Sequence, residues 1–198
     1  KAGYVTGHFG KWHIGSVQPN SPTSPGGAGF DEWLSGLNFF DNDPYLSRNG
    51  KYQQIKGAGT VISMDATLDF LSKHKEGDKP MFTVTWFPSP HNPHPEVPQG
   101  MKNAATLYKN QKTKLPGYFR EITLLDQQVG RLRQHLRKLG IEKDTLFLYC
   151  SDNGGLVTES SGGRAKKGSI YEGGLRVPAV LEWPERFSAK KIDIPAFT

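Results

Sequence analysis

Residues 118–155 read YFREITLLDQQVGRLRQHLRKLGIEKDTLFLYCSDNGG, and this stretch contains a helix, a strand and a polar turn in succession. Apolar residues recur every three or four positions over residues 118–139, which predicts an amphipathic helix that stops at Gly140. The short apolar run over residues 145–150 predicts a buried strand, and a polar Ser-Asp-Asn-Gly-Gly turn follows it directly. A helix that leads into a buried strand is typical of an α/β fold.

The rest of the chain continues this alternation of strands and helices. Residues 16–49 are rich in Pro, Gly, Ser and Asn but carry several large aromatic residues, which predicts a long ordered loop. The other predicted elements are a strand over 4–12, a helix over 61–75 with Thr60 as its candidate N-cap, and strands over 81–87 and 177–183. We therefore predict an α/β layered fold with a largely parallel central sheet flanked by helices.

The composition limits the classes of function. The chain has 198 residues, a formal net charge of +6 and a single cysteine, Cys150. A lone cysteine excludes an internal disulfide and a cysteine-based zinc site, and its place in an apolar run predicts a buried structural thiol. No apolar run approaches the length of a membrane span, and the scattered basic residues argue against nucleic-acid binding. The charge is compatible with a solvated surface or with attraction to an anionic substrate.

Polar residues follow three of the predicted strands. In α/β sheets, ligands bind beyond the carboxyl ends of the strands, so these positions are the natural candidates for a site. Lys11 and His13 follow the first strand, and their i, i+2 spacing in an extended segment would point both side chains the same way. His91 and Asp152 follow two later strands. We expect the three clusters to converge on one site.

Each cluster offers a recognisable chemistry. Asp152 and Asn153 carry side-chain oxygens, which suit a hard cation such as Ca²⁺ or, less well, Mg²⁺. His91 lies in a proline-rich loop and is a candidate general acid, with His94 as a second imidazole nearby. Lys167 lies on a glycine-bounded loop, where its ammonium group can hold a tetrahedral anion. The residues alone are also compatible with an exposed strand end, a strand-ending turn, a polar surface loop and a solvated basic loop, and for the clusters at the strand end and at the turn this simpler interpretation is favoured.

Four segments, taken together and in this order, resemble the signatures of the type I, formylglycine-dependent sulfatases of the alkaline phosphatase superfamily. They are GYVTGHFGKWH at residues 3–13, HNP at 91–93, SDNGG at 151–155 and KGSIYEGGLRVP at 167–178. The resemblance extends over residues 3–183. It implies an alkaline-phosphatase-like fold and an arylsulfatase-like hydrolysis of sulfate esters.

The resemblance also implies a role for each matching residue. The implied catalytic residues are Lys11, His13, His91 and Lys167, and the implied metal ligands are Asp152 and Asn153. Lys11 would hold the formylglycine hydrate and a sulfate oxygen, and His13 would accept a proton from the hydrate. His91 and Lys167 would bind the sulfate and assist the departing oxygen. Asp152 and Asn153 would supply two of the oxygen ligands of Ca²⁺.

Some features of the family do not occur in residues 1–198. The nucleophile motif, Cys- or Ser-x-Pro-Ser-Arg, the early pair of Asp ligands and the smaller C-terminal subdomain have no match here. We therefore expect residues 1–198 to be part of a sulfatase catalytic domain whose formylglycine comes from an upstream segment, with little or no activity by itself.

The resemblance implies a sulfated small molecule or a sulfated carbohydrate as the substrate, and a periplasmic or secreted location. Two alternatives are a phosphodiesterase or phosphonate hydrolase of the same superfamily and a non-catalytic module that binds sulfated glycans. A third is a chain that completes its site with another polypeptide.

Overall fold

Five strands form the main sheet of the protein, whose computed structural model describes residues 2–94, 108, 116–157 and 160–191. In chain order they are β1 (Val5–Lys11), β2 (Glu32–Gly36), β3 (Tyr45–Arg48), β4 (Lys51–Gln54) and β5 (Met81–Trp86). Their order across the sheet is β4-β3-β2-β1-β5. Strand β1 is parallel to both of its neighbours, β2 and β5, whereas β3 is antiparallel to β2 and to β4.

Helix α1 (Gly59–His74) packs against β1 and β5 and closes one face of this sheet. The side chains between them form the main apolar core, which consists of Phe9, Leu34, Leu46, Ile62, Ala66 and Phe70. Helix α2 (Pro116–Leu139) contributes Leu124, which packs against Ala58 next to the start of α1. Strand β1 is hydrogen-bonded on one side to β2 and on the other to β5, and α1 packs against it, so its carboxyl end is held by three neighbouring elements.

The chain divides into two compact units, Lys1–His135 and Leu136–Thr198. The second unit contains β6 (Phe147–Cys150), the short helix α3 (Glu172–Leu175) and β7 (Ala179–Glu182). Strands β6 and β7 pair antiparallel as a two-stranded sheet, and the Trp183 indole N–H donates to the Lys143 carbonyl at 2.8 Å. Among the described residues, no helix is long and apolar enough to cross a membrane.

The predicted α/β class and most of the predicted elements are confirmed. The helices expected over 61–75 and 118–139 correspond to α1 and α2. The strands expected over 4–12, 81–87, 145–150 and 177–183 contain β1, β5, β6 and β7. The sheet is mixed: β2, β1 and β5 are parallel on one side of it, and the β3–β4 hairpin continues it on the other side in the antiparallel sense.

Three details of the prediction were wrong. Residues 16–49 are not a single loop, since they contain β2 and β3, whose short sequences carry little alternation. Thr60 is not the N-cap of α1: Ala58 has that position and makes no side-chain capping bond. Cys150 is exposed rather than buried, because β6 alternates between half-buried and exposed residues.

Candidate functional site

The Lys11–His13 segment lies where β1 leaves the sheet. The strand ends at Lys11, but the backbone continues beside β2, with the Trp12 and His13 N–H groups donating to the carbonyls of Gly36 and Leu37, both at 2.8 Å. His13 is exposed and has a φ of 51°, so the segment is no longer extended there. The alternation that would point residues 11 and 13 the same way therefore does not apply.

The residues around this segment hold it firmly in place. The Trp12 side chain is 2% exposed, and its indole N–H donates to the Thr23 carbonyl at 2.7 Å. Gly10 has a φ of 107°, and a Cβ at that position would overlap the carbonyl oxygen of Trp86. Because only glycine combines that φ with so close an approach, Gly10 lets β1 and β5 meet directly below Lys11.

His8, a residue of the same segment, is part of the core. Its ring is fully buried and contacts the rings of Trp12, Trp86 and Phe30, with centroids 4.8, 5.0 and 5.4 Å away. Its Nδ1 lies 2.7 Å from the Ser35 hydroxyl, whereas its buried Nε2 has no hydrogen-bond partner among the residues that the structure describes. Burial lowers the pKa of His8 to about 3, so the ring is neutral at neutral pH.

His91 lies in a tight turn that follows β5. Its backbone N–H donates to the Pro88 carbonyl at 3.2 Å, and its Nδ1 lies 2.6 Å from the Asn92 carbonyl oxygen. The Phe39 ring lies against the imidazole, with the centroids 5.1 Å apart. Because β1 and β5 are parallel neighbours, with Gly10 opposite Trp86, the Lys11–His13 segment and the His91 turn leave the same edge of the sheet.

A small pocket opens beside His91. Its walls come from the end of the β2–β3 connection, the start of α1, the His91 turn and α2. The polar residues in this lining are Asp41, Asn42, Thr60, Ser89, His91 and Glu121. Of these six, the sequence had singled out only His91 as a site residue.

Glu121 is the least expected residue of the pocket. It is 7% exposed, and its carboxylate accepts a hydrogen bond from the Ser89 hydroxyl, which also lies 2.6 Å from the Thr60 hydroxyl. Burial raises the pKa of Glu121, and the negative charge of Asp41 acts in the same direction. The sequence carries one signal for this burial: Glu121 is spaced three and four residues before the buried Leu124 and Leu125, on the same face of α2.

His94 occupies a different environment from His91. It is half-buried, and its ring packs edge-on against Tyr118 with centroids 5.8 Å apart. Its buried Nδ1 has no hydrogen-bond partner in the described part of the chain. Burial lowers the pKa of His94, and the nearby His91 lowers it further. The structure thus separates the two imidazoles, with His91 in the pocket lining and His94 packed against α2.

Asp152 and Asn153 lie in the second unit, in the turn that follows β6. Asp152 is exposed, and the Ser151 hydroxyl closes the turn by donating to the Asn153 carbonyl at 2.8 Å. Their side-chain oxygens suit a hard divalent cation, and they would form part of its coordination shell. Within the described ranges, no group of three or more His, Cys, Asp or Glu side chains could hold a metal ion.

Lys167 approaches this turn through the backbone. Its N–H donates to the Gly155 carbonyl at 2.9 Å, and the Gly154 N–H donates to the Gly174 carbonyl at 2.8 Å. A Cβ on Gly154 would overlap the carbonyl oxygen of Gly173, so the close contact requires glycine. The structure therefore joins the SDNGG turn to the KGSIYEGGLRVP segment, which the sequence had presented as two separate clusters.

The predicted residues are thus divided between the units. Lys11, His13 and His91 belong to the first unit, whereas Asp152, Asn153 and Lys167 belong to the second. That the three clusters form one site stays a prediction.

Comparison with known proteins identifies the family. The family model "Sulfatase" matches residues 1–196. The chain is 25% identical to the "Ulvan-active sulfatase" of Formosa agariphila, over 98% of this chain and 41% of that protein. It is 27% identical to the "N-acetylgalactosamine-6-sulfatase" of Canis lupus familiaris, over 97% of this chain and 40% of that protein. The chain therefore spans less than half the length of these relatives.

Solved structures agree with this assignment. The chain superposes on the crystal structure of Ps i-CgsB in complex with k-i-k-neocarrahexaose with a TM-score of 0.83 and 26% identity, over 92% of this chain and 45% of that one. It superposes on a protein in the alkaline phosphatase superfamily from Vibrio parahaemolyticus with a TM-score of 0.58 and 16% identity, over 92% of this chain and 39% of that one, which shows the shared fold. Together with the match over residues 1–196, these likenesses establish that the chain belongs to the sulfatase family.

Proposed function

We propose that the protein hydrolyses sulfate esters of carbohydrates. The observation that carries this proposal is the parallel pairing of β1 with β5, which brings the Lys11–His13 segment and the His91 turn to one edge of the sheet. A cation and two imidazoles at one edge suit the binding of the anionic sulfate group of an ester and the transfer of a proton to the departing alcohol. The names of the relatives, an ulvan-active sulfatase and an N-acetylgalactosamine-6-sulfatase, support a sugar as that alcohol.

The residues of this chain have distinct tasks in the proposed reaction. Lys11 and Lys167 hold sulfate oxygens as point charges, which stabilises the negative charge that develops as the ester bond breaks. His13 takes up a proton, and His91 contacts the sulfate and assists the leaving oxygen. In a sulfatase a formylglycine hydrate supplies the nucleophile, and a divalent cation, here proposed to be Ca²⁺ rather than Mg²⁺, would supply positive charge to the sulfate group. Asp152 and Asn153 would hold that cation.

The formal charge of +6 supports an anionic substrate, since a positive surface attracts it over long range. A sulfated polysaccharide is found outside the cytoplasm, so we extend the proposal to a periplasmic or secreted protein. Fractionation of the source organism checks that location.

The activity is tested by measuring sulfate release by the protein that the longest open reading frame containing residues 1–198 encodes. Sulfated and phosphorylated esters of one alcohol are compared in parallel, with added Ca²⁺ or with a chelator. Lys11→Ala and Lys167→Ala should each lower kcat/KM by about 100-fold or more, because each removes a cation from the developing charge. Lys51→Ala, on the exposed strand β4, is the matched control and should have no effect.

The other outcomes identify the alternatives. Faster turnover of the phosphate ester would replace the proposal with a phosphodiesterase or phosphonate hydrolase. Salt-sensitive binding of sulfated glycans without turnover would replace it with a binding module.

A further inference from the structure

Of the described residues that line the pocket beside His91, Glu121 is the only acidic one that is buried. Glu121 lies on α2 and is 7% exposed, whereas the side chain of Glu76, on the surface, is 84% exposed. A carboxylate is seldom buried unless it has a partner, because its desolvation is unfavourable. The role of Glu121 can therefore be inferred from the group that it binds.

That partner is Ser89, and the contact continues to Thr60. The Ser89 hydroxyl donates its single proton to the Glu121 carboxylate. The Thr60 hydroxyl, 2.6 Å from the Ser89 oxygen, must then be the donor in the second bond. Thr60 lies in the first turn of α1 and is 1% exposed. One serine side chain thus connects α1, α2 and the segment that follows β5.

Ser89 lies two residues before His91, in the same tight turn. The bond from the His91 N–H to the Pro88 carbonyl closes the turn around Ser89, so a fixed Ser89 side chain also fixes the backbone that carries the imidazole. Phe39 contacts the imidazole ring itself. The His91 ring is thus held by Phe39, and its backbone is held by Ser89.

The contact between Glu121 and Ser89 does not depend on the charge of Glu121. Burial and Asp41 raise the pKa of Glu121, whereas the Ser89 hydrogen bond and Arg120 lower it. A protonated Glu121 can donate to the Ser89 oxygen, and a charged Glu121 can accept from it, so the contact survives in both states. The arrangement is therefore suited to hold a position rather than to respond to pH.

We infer that Glu121 is a positioning residue that holds the His91 turn in place through the Ser89 hydroxyl. The inference rests on the proposed role of His91 as a sulfate-binding residue. It assigns to α2 a task in the site that none of the sulfatase-like motifs contains.

Two variants and a matched control test the inference. All three are made in the protein encoded by the longest open reading frame that contains the chain. Ser89→Ala removes one oxygen atom and should lower kcat by about 10- to 100-fold, because a misplaced reacting group has a cost of this size. Glu121→Gln keeps an oxygen that accepts from Ser89, so it should stay within about threefold of the parent protein. Glu76→Gln makes the same change on the surface and should have no effect.

A second readout does not depend on sulfatase activity. The imidazole signals of the histidines, six of which lie in residues 1–198, are followed by NMR, with His91 assigned by its loss in His91→Asn. Ser89→Ala and Glu121→Ala should shift and broaden the His91 signal, and should weaken its response to inorganic sulfate. A parent protein that neither binds sulfate nor turns over an ester would refute the proposed function, whereas the His91 signal would still report on the link.

Two results would overturn the inference. An unchanged His91 signal in both Ser89→Ala and Glu121→Ala would show that the hydroxyl does not fix the turn. A loss of thermal stability in Glu121→Ala, with kcat unchanged in Ser89→Ala, would assign Glu121 to packing alone.

Discussion

His8 is buried among aromatic side chains next to the Lys11–His13 segment. Its ring has no exposed surface and touches Trp12, Trp86 and Phe30. A protonated imidazole there would lose its hydration without gaining an acidic partner among the contacts described for it, so the neutral form is strongly preferred. The same burial that makes His8 unsuitable for proton transfer makes it a source of pH-dependent stability.

The stability of the protein should therefore decline below neutral pH, in part because of His8. Its pKa is about 3 in the folded state, against an ordinary value of 6.5, so the unfolded chain binds the proton first as the pH falls. His8 should remove about 2–3 kcal/mol from the free energy of unfolding between about pH 7.5 and about pH 4.5. This loss of stability is absent at pH values well above the ordinary pKa of histidine. It grows as the pH falls, until the pH approaches the pKa of His8 in the folded state.

Urea unfolding of the parent protein and of His8→Met at both pH values checks this prediction. The variant has lost the titrating group, so its free energy of unfolding should decline less over the same interval. His135→Met, at a half-buried position near Ser72, is the matched control and should leave the decline unchanged. An equal decline in the parent protein and in His8→Met would contradict the prediction.

At the scale of elements, the second unit depends on glycines that let two segments meet. The Gly154 and Lys167 N–H groups donate to carbonyls of the opposite segment, and the approach is so close that a Cβ on Gly154 would overlap the oxygen of Gly173. The position of the Lys167 backbone relative to Asp152 is thus set by a backbone contact rather than by a side-chain contact.

Gly154→Ala should separate these two segments. The added methyl group has no space, so the substitution should destabilise the second unit by about 1–3 kcal/mol. Hydrogen exchange at the Lys167 amide should accelerate, because its acceptor on Gly155 moves away. Fast exchange measured by NMR would support the prediction, and unchanged exchange would contradict it.

The matched control is Gly130→Ala on α2. A Cβ there meets nothing within 4 Å, and alanine favours a helix over glycine by about 1 kcal/mol. The same substitution should therefore stabilise the protein slightly at residue 130 and destabilise it at residue 154.

The sequence predicted the elements that have a strong period and missed those that do not. The apolar repeat over 118–139 gave α2 nearly to its ends, because a regular stripe of this length has no competing interpretation. Strand β2 has five residues and pairs with β1, which lies about 25 residues earlier, so its formation depends on tertiary contacts. Strand β3 has four residues and pairs locally with β4 across the Asn49-Gly50 turn, a hairpin signal that the sequence carries although its composition suggested a loop.

The candidate site shows the same division. Lys11, His91 and Asp152 could be proposed from the sequence because each lies in a recognisable motif at the end of a strand, and their roles stay predictions. Glu121 could not, since a single glutamate on a helix is usually exposed and its neighbour Ile122, which the pattern predicted to be buried, is 37% exposed. Packing determines which face of α2 lines the pocket. A rotation of the apolar face of α2 by one residue decides whether Glu121 or Ile122 is buried.

At the scale of the whole molecule, burial is uneven between the two units. Among the described residues, Leu136 is the only buried apolar side chain of the second unit, whereas Leu148, Val180 and Leu181 of the β6–β7 sheet are all more than half exposed. A two-stranded sheet without a covered face is only marginally stable. The two units therefore have very different shares of the hydrophobic stabilisation.

Leucine substitutions should reveal this difference directly. Leu34→Ala, at a position that is 1% exposed on β2, should destabilise the protein by about 2–5 kcal/mol because it leaves a cavity in the core. Leu148→Ala, at a position that is 61% exposed on β6, should change the free energy of unfolding by no more than about 0.5 kcal/mol. Hydrogen exchange should follow the same order, with the β1 amides protected long after those of β6 and β7 have exchanged. Equal costs for the two substitutions, together with equal protection of β1 and β6, would mean that another surface covers the β6–β7 sheet in solution.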